Sequence, residues 1–161
     1  MNKLLITAFF MATCSIAIAQ EEVIRKVPSF NKISVSPKIN RVLEKGEKES
    51  VRITYSNINP GKIYVEVVGS KLRIYLENAR LVDKRERSNS EYGNSKVSVY
   101  HDASITAYVT YRFLNELEMR GEETLTCDSA IEADKFKLKV YGEAEVNLAS
   151  LKTHKFKASL Y

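Results

Sequence analysis

FKLKVY at residues 136–141 and FKASLY at residues 156–161 are two copies of one strand pattern, 20 residues apart. A looser earlier copy, LEMRG, occupies residues 117–121. Apolar and polar residues alternate within each copy, which is the pattern of a β-strand with one buried face. A strand that recurs every 20 residues or so is typical of a β-solenoid, in which each coil buries its apolar row against the neighbouring coils.

The repeat predicts which residues stack on one another. Val140 should lie between Met119 and Leu160 of the neighbouring coils, because all three occupy the same phase of the repeat. Gly121 and Gly142 also share a phase. A glycine that recurs at one phase predicts a corner at which the backbone needs a positive φ angle or a very close approach.

Strand-like alternation also covers most of the chain before the repeat. The clearest alternating runs are residues 51–55, 63–67, 72–76 and 105–113. Residues 20–29 are instead predicted to be a polar lead-in. We therefore predict an all-β fold, specifically a right-handed single-stranded β-helix (β-solenoid). Irregular coils or hairpins are expected over residues 30–113 and regular coils over residues 114–161.

The first residues have the pattern of a signal peptide. Lys3 precedes a mostly apolar run over residues 4–18, and Ala17–Ala19 forms an A-x-A cleavage site. We predict cleavage after Ala19, which makes residues 1–19 the signal peptide and places the protein in the periplasm or on the outer cell surface. A lipoprotein anchored through Cys14 is the less favoured alternative, since Thr13 suits that cleavage poorly.

Residues 20–161 are predicted to form a single β-helical domain. The whole chain carries a net charge of +5, and the loss of Lys3 leaves +4, an excess too small to indicate nucleic acid in an exported protein. Cys127 would be the only cysteine left, so no internal disulfide is expected, and a small buried side chain is the favoured interpretation. The last strand would end as an uncapped coil, which predicts either a domain truncated at its C-terminal end, the favoured interpretation, or an end that pairs with a partner.

The chain resembles a known family, the head GIN domain of autotransporter-adhesin-like proteins. Bacteroidetes-like bacteria export these proteins. The segments that carry the resemblance are residues 30–55, 63–76, 114–125 and 136–148. The resemblance implies a right-handed β-helical domain and an adhesin-like role. It supplies no catalytic or ligand-binding residue.

Lysines that alternate with apolar residues form the best candidate binding feature. The predicted basic ladder consists of Lys135, Lys137, Lys139, Lys155 and Lys157. Stacked outward beside Tyr141 and Tyr161, these lysines could attract an acidic glycan or another anionic envelope component. The alternative is that lysines on an exposed β face only prevent aggregation.

Evidence for catalysis or a metal site is weak. His101, Asp102 and Ser104 are too close in sequence to favour triad geometry, since such groups normally come from separate parts of a fold. His154 has no partner histidine or paired cysteine nearby in sequence, so no metal or cofactor is predicted.

Three acidic residues and one polar segment are the remaining candidates for a functional site. Glu122, Glu143 and Glu145 could pair as glycosidase carboxylates, but a solvated acidic edge is the favoured interpretation. Residues 83–96 are predicted to be an exposed loop of unassigned role.

The sequence as a whole predicts a non-enzymatic, exported binding protein. Its partner should be a glycan or an envelope component engaged through an outward β face, with no nucleic acid and no membrane-spanning segment after cleavage. A structural envelope scaffold is the first alternative, and a polysaccharide-active β-helix enzyme is the second.

Overall fold

The computed structural model describes residues 21–78, 100 and 102–161, and this part of the chain is almost entirely β-structure. It contains no α-helix, and a single 3₁₀ turn lies at Pro60–Lys62. The strands are β1 (Glu21–Lys26), β2 (Lys32–Val35), β3 (Asn40–Lys45), β4 (Ser50–Ser56), β5 (Ile63–Val68), β6 (Lys71–Leu76), β7 (Ser104–Tyr111), β8 (Glu116–Arg120), β9 (Leu125–Tyr141) and β10 (Val146–Leu160). The predicted all-β class is confirmed.

All ten described strands belong to one continuous sheet. Its order is β1-β4-β7-β3-β9-β8-β2-β6-β5, and β10 lies beside β9 off this path. The pairs β1–β4, β4–β7 and β5–β6 are antiparallel, whereas all the other pairs are parallel. Strand β9 joins the two halves, because Leu125–Cys127 pairs with β3 and Lys137–Tyr141 pairs with β8.

The predicted stacking of the repeats is confirmed. Met119 is the register partner of Val140, and Val140 is the partner of Leu160. Strand β10 follows β9 in parallel along nearly its whole length, with one bulge between Leu148 and Ser150. This bulge changes the sequence offset between partners by one residue, which explains why the period in the sequence is not constant.

The two corner glycines behave as the repeat predicts. Gly121 and Gly142 have φ angles of 101° and 108°. The amide of Gly121 donates to the carbonyl of Tyr141 at 2.9 Å, and that of Gly142 donates to the carbonyl of Tyr161 at 3.1 Å. A Cβ atom on Gly142 would lie 2.6 Å from the carbonyl oxygen of Gly121, so a side chain would disturb the stacked corner.

Buried apolar residues from β2 to β9 fill one core, and partly buried apolar residues of β1 and β10 pack against it. A buried arginine joins the core to the corner turns by hydrogen bonds. Arg41 is 1% exposed and donates to the carbonyl oxygens of Ser36, Arg120 and Glu123 at 2.9, 2.9 and 3.2 Å. Burial lowers the pKa of Arg41 to about 10, so the guanidinium stays protonated at neutral pH. Cys127 is fully buried beside Tyr111, as predicted.

One local prediction was wrong. The polar lead-in at residues 20–29 contains strand β1, which pairs with β4 along its whole length. Backbone pairing needs no apolar side chains on an exposed edge, and Tyr55 adds a hydrogen bond from its hydroxyl to Glu21 at 2.7 Å. The predicted signal peptide (1–19) and the predicted loop at 83–96 lie outside the described residues.

Candidate functional site

The outward face of five adjacent strands carries a cluster of charged side chains. These strands lie in the order β6-β2-β8-β9-β10. One row of register partners across them is Lys71, Lys32, Glu116, Lys137 and Lys157, and the next row is Arg73, Ser34, Glu118, Lys139 and Ser159. In these two rows the acidic residues lie only on the middle strand, β8, and basic residues lie on both sides of it.

The middle of the face forms a network of ion pairs, which we call the paired centre (Lys71, Glu116, Glu118, Arg120 and Lys139). Glu116 accepts a hydrogen bond from Lys139 at 2.8 Å, and Lys71 lies 4.0 Å away. Glu118 accepts from Lys71 at 3.2 Å and from Arg120 at 2.8 Å. Each glutamate is only 8% exposed, because long basic side chains cover it.

The basic neighbours outweigh the effect of burial on both glutamates. Burial by itself would raise the pKa of Glu116, but the hydrogen bond from Lys139 and the charges of Lys139, Lys71 and Lys32 bring it below its ordinary value. Burial acts in the same direction on Glu118, and the bonds from Arg120 and Lys71 again lower its pKa overall. Both carboxylates are therefore ionised and fully engaged at neutral pH.

The outer part of the face consists of exposed lysines, which we call the lysine strip (Lys135, Lys137, Lys155 and Lys157). Lys135 is the register partner of Lys155, and Lys137 is the partner of Lys157. All four side chains are exposed. Within the described residues, none of the four has a carboxylate within 4.0 Å of its ammonium group.

The fifth lysine of the predicted ladder has a different role. Lys139 is half-buried, and its hydrogen bond to Glu116 raises its pKa. It therefore belongs to the paired centre, and the other four lysines of the predicted ladder form the lysine strip.

Aromatic side chains continue the stacking next to the charges. Tyr141 and Tyr161 are parallel, with ring centroids 4.6 Å apart, and the guanidinium of Arg120 lies 4.3 Å from the Tyr141 ring centre. Tyr161 is largely exposed. An exposed aromatic ring beside a row of lysines offers an apolar surface as well as charge.

The residues considered for catalysis do not form a described site. His101 lies outside the described residues, and Asp102 uses its backbone carbonyl to accept a hydrogen bond from Asn57. Glu122, Glu143 and Glu145 are exposed around the corner turns, where Glu145 accepts from Asn147 at 3.2 Å. The described residues contain no group of three His, Cys, Asp or Glu side chains suited to a metal. His154 lies 3.3 Å from Asp134 on the surface.

Sequence reasoning missed the paired centre, although a signal for it exists. In ELEMR the two glutamates alternate with the buried Leu117 and Met119, so they must point outward. A shift of one repeat aligns Glu116 with Lys137 and Glu118 with Lys139. Acid above base at one phase of a repeat predicts an ion pair between coils.

Comparison with known proteins identifies the family. Residues 29–161 match the family described as "Putative auto-transporter adhesin, head GIN domain". A comparison with curated proteins found no match.

Solved structures share the fold. A "putative adhesin" from Bacteroides fragilis NCTC 9343 is 17% identical, with a TM-score of 0.67 over 89% of this chain and 59% of that chain. A "putative adhesin" from Parabacteroides merdae ATCC 43184 is 14% identical, with a TM-score of 0.56 over 88% of this chain and 59% of the other. A "putative lipid binding protein" from Parabacteroides distasonis ATCC 8503 is 12% identical, with a TM-score of 0.59 over 88% and 62%.

These likenesses concern the fold alone, because the identities are low. The chain spans about three fifths of the length of these three structures. In the part of the chain that the structure describes, no helix is long and apolar enough to cross a membrane.

Proposed function

The chain belongs to the head GIN domain family of adhesin-like proteins, and on this premise we propose that it is an exported, non-enzymatic protein that binds an acidic glycan of a cell envelope. The lysine strip is the proposed contact surface. The proposed location is the periplasm or the outer cell surface. In-register stacking of β8, β9 and β10 also supports our proposal that these coils wind as a right-handed β-helix.

The observation that carries the proposal is the stacking of lysine on lysine. Like charges on directly opposed residues of neighbouring strands disfavour folding. The fold neutralises such charges at the paired centre, where Glu116 and Glu118 lie between basic residues. It leaves Lys137 beside Lys157 and Lys135 beside Lys155 without a described acidic partner. An anionic ligand would supply the missing negative charge.

The spacing of the strip suits a repeating anion. Neighbouring strands lie about 4.8 Å apart, and alternate residues along one strand about 6.6 Å apart. The four ammonium groups therefore project from a small grid on one face. A polysaccharide with a carboxylate or sulfate on successive sugars could contact several of them at once, so weak contacts would add up.

Protection of a sheet edge does not account for the whole strip. Lysine on an edge strand discourages pairing with other chains, which explains Lys155 and Lys157 on β10. Lys137 lies on β9, which is paired with β10 on one side and with β8 on the other. Its ammonium group has no such edge to protect.

The test is binding to an array of acidic and neutral glycans at low and high salt. The variant is Lys137→Gln, Lys155→Gln and Lys157→Gln combined. The matched control is Lys26→Gln, Lys48→Gln and Lys62→Gln, which removes the same charge from exposed lysines elsewhere.

The proposal predicts selective binding to acidic glycans that weakens about tenfold or more in the strip variant and hardly changes in the control. Raising the ionic strength from about 0.01 M to about 0.15 M shortens the screening length from about 30 Å to about 8 Å and should also weaken binding. An equal loss of affinity in both variants would show that binding depends on the net charge of the protein and not on the lysine strip. Absence of binding across the array would leave the structural scaffold as the better account.

A further inference from the structure

A second candidate site lies at the starts of β2, β6 and β8. It is an open pocket of about 410 Å³, and the lining residues relevant here are Asn31, Glu49, Ser70, Arg112, Phe113 and Asn115. Pockets that hold small molecules typically measure about 300–1,000 Å³. The pocket has enough volume for a ligand of modest size, and none of its lining residues belongs to the lysine strip.

Three polar side chains form one row of this pocket. The amide of Asn31 donates to the carbonyl of Ser70 at 3.0 Å, and the amide of Asn115 donates to that of Asn31 at 2.8 Å. The three residues therefore occupy adjacent positions across three strands. Each comes two residues before a fully buried side chain of its strand, so the row continues the inward face of the sheet. The backbone ladder holds the row in place before any ligand arrives.

One atom of the row lacks a hydrogen-bond partner. The side-chain oxygen of Asn31 is buried from solvent, and no described protein group donates to it. Buried carbonyl oxygens nearly always accept a hydrogen bond from the protein, from water or from a ligand. The Asn31 side chain as a whole is only partly buried, so a rotation about its side-chain bonds would bring this oxygen to an O–H or N–H donor in the pocket.

The rest of the lining narrows the class of ligand. Phe113 is 64% exposed although Leu114 next to it is buried, so the chain anchors a ring that remains open to solvent. Glu49 and Arg112 give the lining one charge of each sign, so it favours neither an anion nor a cation, and the polar row would lose its solvation beneath a purely apolar ligand. An apolar platform, amide groups and a carboxylate together suit a molecule with an apolar face and several hydroxyl groups.

We propose that this pocket binds a neutral hexopyranose unit. The sugar ring would pack on Phe113, and its hydroxyls would bond to the side chains of Asn31, Asn115 and Glu49. The amide of Lys137 donates to the carbonyl of Asn115 at 2.9 Å, so the pocket begins one strand away from the lysine strip. The inference does not rest on the proposed function, because a neutral sugar needs none of the lysines.

The test is a ¹⁵N–¹H NMR titration of the protein with methyl glucoside, methyl galactoside, methyl mannoside and N-acetylglucosamine. At least one sugar should bind with a Kd of about 1–10 mM and shift the side-chain amide signals of Asn31 and Asn115. Phe113→Ala should weaken binding about tenfold, and Phe113→Tyr should retain it. Tyr64→Ala removes an exposed ring from β5 and serves as the matched control.

The dependence of binding on ionic strength distinguishes this inference from the proposed function. Binding of a neutral sugar should persist when the ionic strength rises and when Lys137, Lys155 and Lys157 become glutamine. The same spectra verify that each variant is folded. Absence of shifts with every sugar up to about 50 mM would overturn the inference. Equal affinity in the wild type and in Phe113→Ala would overturn it as well.

Discussion

The paired centre and the lysine strip lie on the same face, but the charges of the first are paired and largely buried, whereas those of the second are exposed. Glu116 and Glu118 are covered by basic side chains and hold several hydrogen bonds. Lys137 and Lys157 lie one and two strands away, exposed and stacked on each other. Strands β8, β9 and β10 are parallel and in register, so the side chains that each row places next to one another account for much of the difference.

We infer that this difference separates charges that hold the fold from the charges that we propose bind a ligand. Breaking a partly buried ion-pair network leaves groups that have lost both water and partner, so its members should be sensitive to mutation. Exposed lysines keep their hydration and can be changed at little cost to stability. Stability measurements should therefore respond to the paired centre, and binding measurements should respond to the lysine strip.

Removal of a carboxylate from the paired centre should have the largest effect on stability. Glu118→Ala leaves Lys71 and Arg120 without their shared acceptor. We expect the free energy of unfolding to fall by about 2–3 kcal/mol, measured by urea denaturation. Glu143→Ala, on an exposed corner, is the control and should stay within about 0.5 kcal/mol of the wild type. A loss no larger than that of the control would contradict the structural role of the network.

Acid should weaken the fold through the same two carboxylates. The pKa values of Glu116 and Glu118 are below the ordinary value of 4.5 in the folded protein, so the unfolded chain takes up protons first. Their contribution is complete above about pH 4.5 and is lost as the pH falls through the lower folded values.

Denaturation midpoints measured between pH 7 and pH 2 check this direction. The double variant Glu116→Gln and Glu118→Gln should show a flatter dependence below pH 4.5 than the wild type. If the midpoint changed with pH equally in both proteins, groups other than Glu116 and Glu118 would account for the sensitivity to acid.

Two lysines on one strand offer a narrower comparison. Lys139→Ala removes the hydrogen bond to Glu116 and should lower the free energy of unfolding by about 1–1.5 kcal/mol. Lys137→Ala, two residues earlier on β9, should change it by less than about 0.5 kcal/mol. Thermal or chemical denaturation of both variants gives the comparison, and equal effects would remove the distinction between the two regions.

The smallest expected effect is a gain in stability. Lys157→Thr removes one of two like charges that face each other across β9 and β10. Relief of this repulsion should raise the free energy of unfolding by about 0.2–0.5 kcal/mol at low salt. The gain should shrink in salt, where the repulsion is already screened. A loss of stability would show that Lys157 contributes to the fold.

The repeated part of the fold could be predicted well from the sequence, because residues at the same phase of the repeat stack on one another. The stacking of Val140 on Met119 and the positive φ angles at Gly121 and Gly142 follow from the period alone. The alternating runs at residues 63–67 and 72–76 likewise form paired strands, the hairpin of β5 and β6, with a φ angle of 62° at Gly69 between them. Local periodicity carries this information.

Pairings between distant segments were not visible. Strand β1 has almost no apolar pattern, and it pairs with β4 through backbone hydrogen bonds, which the side-chain pattern does not reveal. The placement of β3 between β7 and β9 likewise joins segments far apart in sequence. The role of Lys139 depended on Glu116, 23 residues earlier. Asn31 and Asn115 carry no motif, and only the fold brings them into one pocket.

The most direct test measures binding and stability on the same three proteins: the wild type, the Lys137/Lys155/Lys157→Gln variant and the Lys26/Lys48/Lys62→Gln control. Calorimetric titration with polygalacturonate and heparin, and with dextran as the neutral polymer, is followed by urea denaturation. The account predicts that the strip variant binds an acidic polymer about tenfold more weakly while its unfolding free energy falls by no more than about 0.5 kcal/mol. Unchanged binding, or a loss that the control shares, would contradict it.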